Sequence, residues 1–251
     1  MLRQFWRVFL NTKYSIERIS GFKDSDQVVS VAIGYSDTEG DQIHCGILYK
    51  HQGNTFLLHL AWHNILLNNQ ECDWFFQRCP DLFFVPLLSE LPIEKLKVLS
   101  STCKLIHDRH HEEGIPYGIR FGKQKFTPEG LLDWGKGKTC GLTCATFVMA
   151  VFRAAGINLA HTKFWWSRLS DRRWHGKIMA DLSDTSKTRN ISAEHLQNVE
   201  KEKWCSRFRP EEVAAMTTKK KLPSNFFHAS ISGAYIVDQL QLEKELGLSN
   251  Q

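Results

Sequence analysis

Between Gln27 and Tyr35 the chain alternates Val29, Val31, Ile33 and Tyr35 with mostly small or polar residues, the period of a half-buried β-strand. Gln42 to Lys50 and Thr55 to Trp62 predict two further strands. The segment His51-Gln52-Gly53-Asn54 between them holds Gly and Asn, which readily supply the positive φ angles of a tight turn, so a β-hairpin is expected. Asp81 to Leu88 is a short apolar run in which Pro86 either confines the strand to a sheet edge or ends it. The period then changes. From Pro92 to about His111 the residues Ile93, Leu96, Val98, Leu99, Leu105 and Ile106 recur at helical spacing, with Pro92 suited to the first turn. A Gly-rich connection containing Tyr117, Gly118, Gly122, Pro128, Gly130, Gly135 and Gly137 leads to Thr143. Beyond it Phe147, Val148, Val151, Phe152 and Ala155 form the stripe of a core-facing helix that Gly156 can end.

From about His161 the chain changes character, and helices are expected at Ala193 to Glu202, Pro210 to Met216 and Tyr235 to Leu246, with Lys219-Lys220-Lys221 as a solvated connection. The pattern predicts an α+β protein: a core over residues 1–160 with an antiparallel sheet packed on a helix, and a mainly helical extension over 161–251 packed on that core. There is no internal repeat and no low-complexity tract. The 251 residues, 42% hydrophobic and 24% charged, suit a globular chain and exclude disordered and collagen-like classes. A net charge of +5 permits an anionic partner without naming one, and no nucleic-acid motif accompanies it, so nucleic acid is not expected as a partner.

Arg7 interrupts the apolar N-terminus before a signal-peptide core can form, and no stretch reaches the roughly 18 apolar residues of a membrane span. No integral membrane segment and a reducing, cytoplasmic site of synthesis are therefore expected. Seven cysteines cannot all pair, and none falls in a CxxC, so a disulfide scaffold is not expected. Cys45, Cys72, Cys79, Cys103 and Cys205 read as buried small hydrophobes.

Cys144 is different, because Thr143 is a good N-cap and places it in the first turn of the apolar helix. Helix N-termini and neighbouring imidazolium groups lower a thiol from about 8.5 to about 3.5–7.5 and so make a nucleophile at neutral pH. The unpaired first-turn amides there also suit an oxyanion. Cys140, in Gly-Lys-Thr-Cys-Gly, precedes the helix and is the rival thiol. The hairpin supplies bases: with any even-numbered loop, His44 shares a sheet face with both His59 and His63. A four-residue loop, Lys50 to Gly53, sets His44 opposite His59, whereas a Gly53-Asn54 turn sets it opposite His63.

The segments Ile-His-Cys-Gly-Ile-Leu-Tyr-Lys (43–50), Phe-Leu-Leu-His-Leu-Ala (56–61) and Leu-Thr-Cys-Ala-Thr-Phe-Val (142–148) resemble the circularly permuted papain-like proteins. That group contains the lecithin retinol acyltransferase family and the YiiX-type amidases, and its His-before-Cys order distinguishes it from the unpermuted NlpC-type enzymes. The resemblance covers residues 25–160 and implies a permuted papain-like fold, with His44 as general base, His59 as the polar group orienting it and Cys144 as nucleophile. Thr143 stands where the acyltransferases have Asn, Thr146 where they often have His, and no hydrophobic anchoring segment follows. The implied activity is a cofactor-free thiol hydrolase of amidase, peptidase or deamidase type acting on an amide or ester through an acyl-enzyme, with lipid or other acyl transfer as the alternative.

Two rival readings use other residues. His107, His110 and His111 with Cys140 and Cys144 offer borderline metal ligands, although their spacing matches no four-ligand zinc motif. Lys163, Trp165, Trp166, Arg168, Arg172, Arg173 and Trp174 offer an anionic-surface contact, which a non-catalytic binding module on the same fold would use.

Overall fold

A computed structural model describes residues 15–36, 42–70, 82–87, 91–135 and 140–248. Its antiparallel sheet contains β1 (Glu17–Arg18), β2 (Val29–Tyr35), β3 (Ile43–His51), β4 (Asn54–Trp62), β5 (Ile65–Gln70) and β6 (Leu82–Val85), in the order β1-β6-β2-β3-β4-β5. A small ribbon pairs β7 (Lys125–Phe126) with β8 (Leu132–Asp133). Six α-helices follow among the described residues: α1 (Ile93–His110), α2 (Cys144–Ala154), α3 (Leu169–Thr185), α4 (Ala193–Glu200), α5 (Pro210–Thr217) and α6 (Phe226–Leu248). The fold is α+β with an antiparallel sheet, as the pattern predicts.

Three details depart from the sequence reading. First, β2 is buried on both faces, not half-buried. Val29, Val31 and Ile33 face the helices, while Ala32 joins Leu48, Leu57, Leu82 and Phe84 beneath Ile19 and Phe22 of a single 3-10 turn. That turn covers the second face with little chain. Second, β6 stops before Pro86 but lies between β1 and β2, so Pro86 ends the strand without placing it at an edge. Asp81, Leu88, Cys72, Cys79 and Gly137 lie outside the described residues. Third, α6 begins nine residues before the expected Tyr235, because the Asn225 side chain accepts from the His228 N–H at 2.9 Å and caps it.

Helix α2 is the centre of the core. Every residue from Ala145 to Phe152 is buried, the all-round apolar character of a helix enclosed by other elements. It packs on β3 and β4 beside α1 and α5. The extension completes this core, since Trp165, Phe208, Val213, Met216, Ile236 and Leu240 share one apolar cluster with Val31, Ile47 and Phe147. Helix α3 lies outside the helices that the sequence pattern predicts. Its buried stripe of Asp171, His175, Ile178 and Leu182 has a helical period, but two of the four are polar and hide it from a hydrophobicity reading. Among the described residues no helix is long and apolar enough to cross a membrane.

Candidate active site

The hairpin turn fixes the register of the two histidine strands. Gln52 and Gly53 both have positive φ, 48° and 81°, and form a two-residue turn that pairs His51 with Asn54. Neither of the loops considered from sequence occurs. This register runs to Ile47 opposite Leu58, and Gly46 and His59 come next to each other just beyond it. A Cβ at position 46 would stand 2.7 Å from the His59 Cβ and 2.9 Å from the Leu58 carbonyl oxygen, so the bare glycine gives His59 the room to lean toward His44. The rings meet edge to face, with His44 Nε2 2.9 Å from His59 Nδ1. His63 is turned elsewhere, its Nδ1 accepting from the Tyr117 N–H at 3.2 Å and its ring against His195. The tertiary fold therefore selects His59 over His63.

A fourth group sets the direction of this chain of bonds. His59 Nε2 lies 3.2 Å from Asn69 Oδ1 on β5. An amide oxygen only accepts, so Nε2 carries the His59 proton and Nδ1 presents its lone pair to the N–H at His44 Nε2. The other ring nitrogen of His44, Nδ1, then keeps a lone pair for an incoming proton. Burial holds His59 neutral, pushing it down to about 3 with a further contribution from His44, while the Asn69 bond opposes the shift. Strand β5 was not expected from sequence, because Ile65 to Gln70 is mostly polar after its first three residues. Asn69 carried no signal.

Cys144 is where its cap predicts, at the first position of α2. Thr143 Oγ1 accepts from the Thr146 N–H at 3.2 Å and Thr146 Oγ1 accepts from the Thr143 N–H at 2.7 Å, a reciprocal capping box built from two threonines. Thr146 serves this cap. The start of α2 is anchored by a close backbone crossing. Leu142 N–H bonds the Pro116 carbonyl at 2.9 Å, and a Cβ on Gly141 would fall 1.9 Å from that same oxygen. Only a glycine fits there, and its approach brings Tyr117 beside the thiol.

The thiol of Cys144 is pulled well below the ordinary cysteine range. A hydrogen bond from the Cys45 thiol is the largest cause, burial opposes it, and the charge and hydrogen bond of His44 together with the Cys45 backbone N–H add to the lowering. Cys45 itself is pushed well up, mainly by burial and then by Cys144, and so remains the donor. Successive strand residues leave on opposite faces, yet His44 and Cys45 both engage Cys144, which puts its sulfur against the end of β3. Cys45 is thus a site residue that reads in sequence only as a buried hydrophobe. Cys140 behaves oppositely: burial and then Glu202 push it up to about 12. Glu202 Oε2 accepts from the backbone N–H groups of Ile119, at 2.6 Å, and Arg120, at 3.0 Å, so a carboxylate is fixed beside Cys140. That setting suppresses a thiolate.

Cys144 and His44 line a cavity of about 180 Å³ with Trp62, Tyr117, Trp174 and Arg207. The seven residues of the basic, aromatic stretch do not make the single surface that the sequence suggests. Lys163, Trp166, Arg172 and Arg173 are exposed. Trp165 is buried, stacked on Phe208 at 4.6 Å, Arg168 is bonded to Glu212 and to Ser230, and Trp174 walls the cavity. The rings of His107 on α1 and His111 just after it lie 5.4 Å apart, tilted, and among the described residues no group of three or more His, Cys, Asp or Glu side chains is placed to hold a metal ion. Compared with known proteins, the chain matches no protein family, no curated protein and no solved structure.

Proposed function

We propose that the chain is a cysteine hydrolase of amidase or peptidase type on a permuted papain-like fold, with Cys144 as nucleophile, His44 as general base and His59, braced by Asn69, as the positioning residue. The observation that carries this reading is the directed chain Asn69–His59–His44, which leaves His44 Nδ1 open to a proton, beside a half-buried thiol held below its ordinary range. A structural histidine pair has no need of a thiolate, and a structural cysteine in apolar surroundings is pushed up, not down. Chain order supports the fold assignment, since the two histidine strands precede the cysteine helix and the sheet packs on it.

The chemistry follows from these groups. His44 Nδ1 takes the proton of Cys144, and the sulfur attacks the acyl carbon as the carbonyl electrons move to oxygen. The N–H groups of Cys144 and Ala145 belong to the first turn of α2, have no intrahelical partner and suit the developing oxyanion. Collapse of that intermediate breaks the bond to the leaving amine or alcohol, which departs with the proton from His44. Water, losing its proton to His44, then cleaves the thioester to a carboxylic acid and restores the thiol. An alcohol or amine in place of water gives acyl transfer by the same steps. Throughout, a neutral His59 accepts the hydrogen bond from His44 Nε2 and holds the ring when it becomes cationic.

The test is labelling with an acyl-like, thiol-directed electrophile read by peptide mass spectrometry. The adduct is expected on Cys144, absent in Cys144→Ala and retained in Cys140→Ala. An adduct on Cys140, or labelling that survives Cys144→Ala, overturns the assignment.

A further inference from the structure

Three arginines of the extension converge near the cavity, and they differ in their partners. Arg209 bonds the buried Asp171 at 2.8 Å, and Arg168 bonds Glu212 together with Ser230 at 2.6 Å. These ion pairs tie the starts of α3 and α5 together and fix the segment between them and the core. Arg207 lies in that segment and lines the same cavity as Cys144. Its guanidinium carbon sits 3.6 Å from the centre of the Trp174 ring, which occupies one face of the plane. Among the described residues no carboxylate lies within 4.0 Å of it. The stacking leaves the edge of the guanidinium, with its fork of N–H donors, as the free surface.

A half-buried cation with no ion-pair partner is costly unless something else supplies the charge. Glu211 and Asp171 act on Arg207 only from beyond ion-pair distance, and among the described residues no other neighbour supplies a bonded acceptor. Tyr117 stands where the charges of both Cys144 and Arg207 act on it, and burial pushes its hydroxyl well up, so it stays neutral. Trp62, also on the cavity wall, has an indole N–H that is buried without a hydrogen-bond partner. Donors without acceptors thus line the wall beside the nucleophile, and the missing partner is an acceptor carrying negative charge. The cavity of about 180 Å³ is below the roughly 300–1,000 Å³ of drug-sized ligand pockets, so only one end of a larger substrate, or a small one, enters it.

We infer that the substrate carries an oxyanion, a carboxylate or phosphate group, close to its scissile acyl carbon, and that Arg207, held flat by Trp174, is the residue that binds it. The inference deepens the hydrolase reading and rests on it. A guanidinium edge matches two oxygens of either anion, and a neutral substrate leaves the charge without a partner. Anionic acyl compounds are therefore selected over neutral ones by the charge-assisted bonds they form with the open guanidinium edge.

The experiment compares alkylation of Cys144 by iodoacetate with alkylation by iodoacetamide, which differ in charge and little in size. In each variant the neutral reagent is the internal reference, so the ratio of the two rates isolates recognition of the carboxylate. Arg207→Gln is expected to lower the iodoacetate to iodoacetamide ratio by about tenfold or more, the scale of a lost charge-assisted hydrogen bond. Arg207→Lys, which keeps the charge but not the fork, is expected to fall between. Succinate and inorganic phosphate, tested separately as protectants against iodoacetamide, distinguish the two anion classes: protection by one names the class, and Arg207→Gln is expected to abolish it. An unchanged ratio in Arg207→Gln, or protection by neither anion, overturns the inference while leaving Cys144 reactive. Failure of either reagent to reach Cys144 in the unmodified protein overturns the hydrolase reading instead.

Discussion

His59 can accept from His44 only while it is uncharged, and the structure makes a quantitative statement about that. The imidazole is about 5% exposed and is pushed from its ordinary 6.5 down to about 3. Between those values the unfolded chain binds a proton at this position that the native protein does not, so stability rises with pH across the window. The contribution is fully present above 6.5 and is lost progressively as pH falls toward 3. At pH 5 the loss is about 1.5 units at 1.36 kcal/mol each, on the order of 2 kcal/mol. His59→Gln removes the titration while keeping a side chain of similar length. Urea unfolding at pH 7.5 and at pH 5 is expected to show the unmodified protein losing about 2 kcal/mol more than the variant between the two pH values. Equal losses would mean that His59 is protonated in the native state at pH 5, and the direction assigned to the Asn69–His59–His44 chain would then be wrong.

The site makes two further predictions. Cys45→Ala removes the largest cause of the lowered Cys144 thiol, so the pH midpoint of Cys144 alkylation is expected to move upward, whereas Cys45→Ser retains a donor and holds it near the original value; identical midpoints in all three proteins would refute the role of Cys45. Gly46→Ala places a methyl against the His59 Cβ and the Leu58 carbonyl, and is expected to cost about 1–3 kcal/mol in urea unfolding and to slow alkylation of Cys144 at pH 6 by displacing the histidine; a variant with unaltered stability and rate would refute the packing argument.

How far the site could be read from sequence depended on the range of the interactions that make it. Thr143 announced the start of α2 because a cap is decided by residues three apart, and the structure adds only that Thr146 returns the bond. His44 and His59 were legible as neighbours through the period of two, but the choice between His59 and His63 was not. It turned on the positive φ of Gln52, which composition does not reveal, and on the space over Gly46, which appears only once β4 lies beside β3. Asn69 sits in a polar strand that no periodicity marks, and Arg207 lies in a connection without a pattern.

The sequence by itself determined the α+β class, the hairpin, the capped apolar helix and the thiol at its first turn, because each follows from contacts between residues close along the chain. Only the tertiary structure decided which cysteine is the acid and which the donor. The helix start marks Cys144 in the sequence, but what separates its proton affinity from that of Cys45 is full burial in one case and a hydrogen bond and an imidazole in the other. The same holds for the three arginines, alike in sequence, of which packing gives two a carboxylate and leaves Arg207 facing the nucleophile's cavity. Charge and proton affinity are set by what surrounds a group within a few ångströms, and in a folded chain those neighbours come from residues far apart along it.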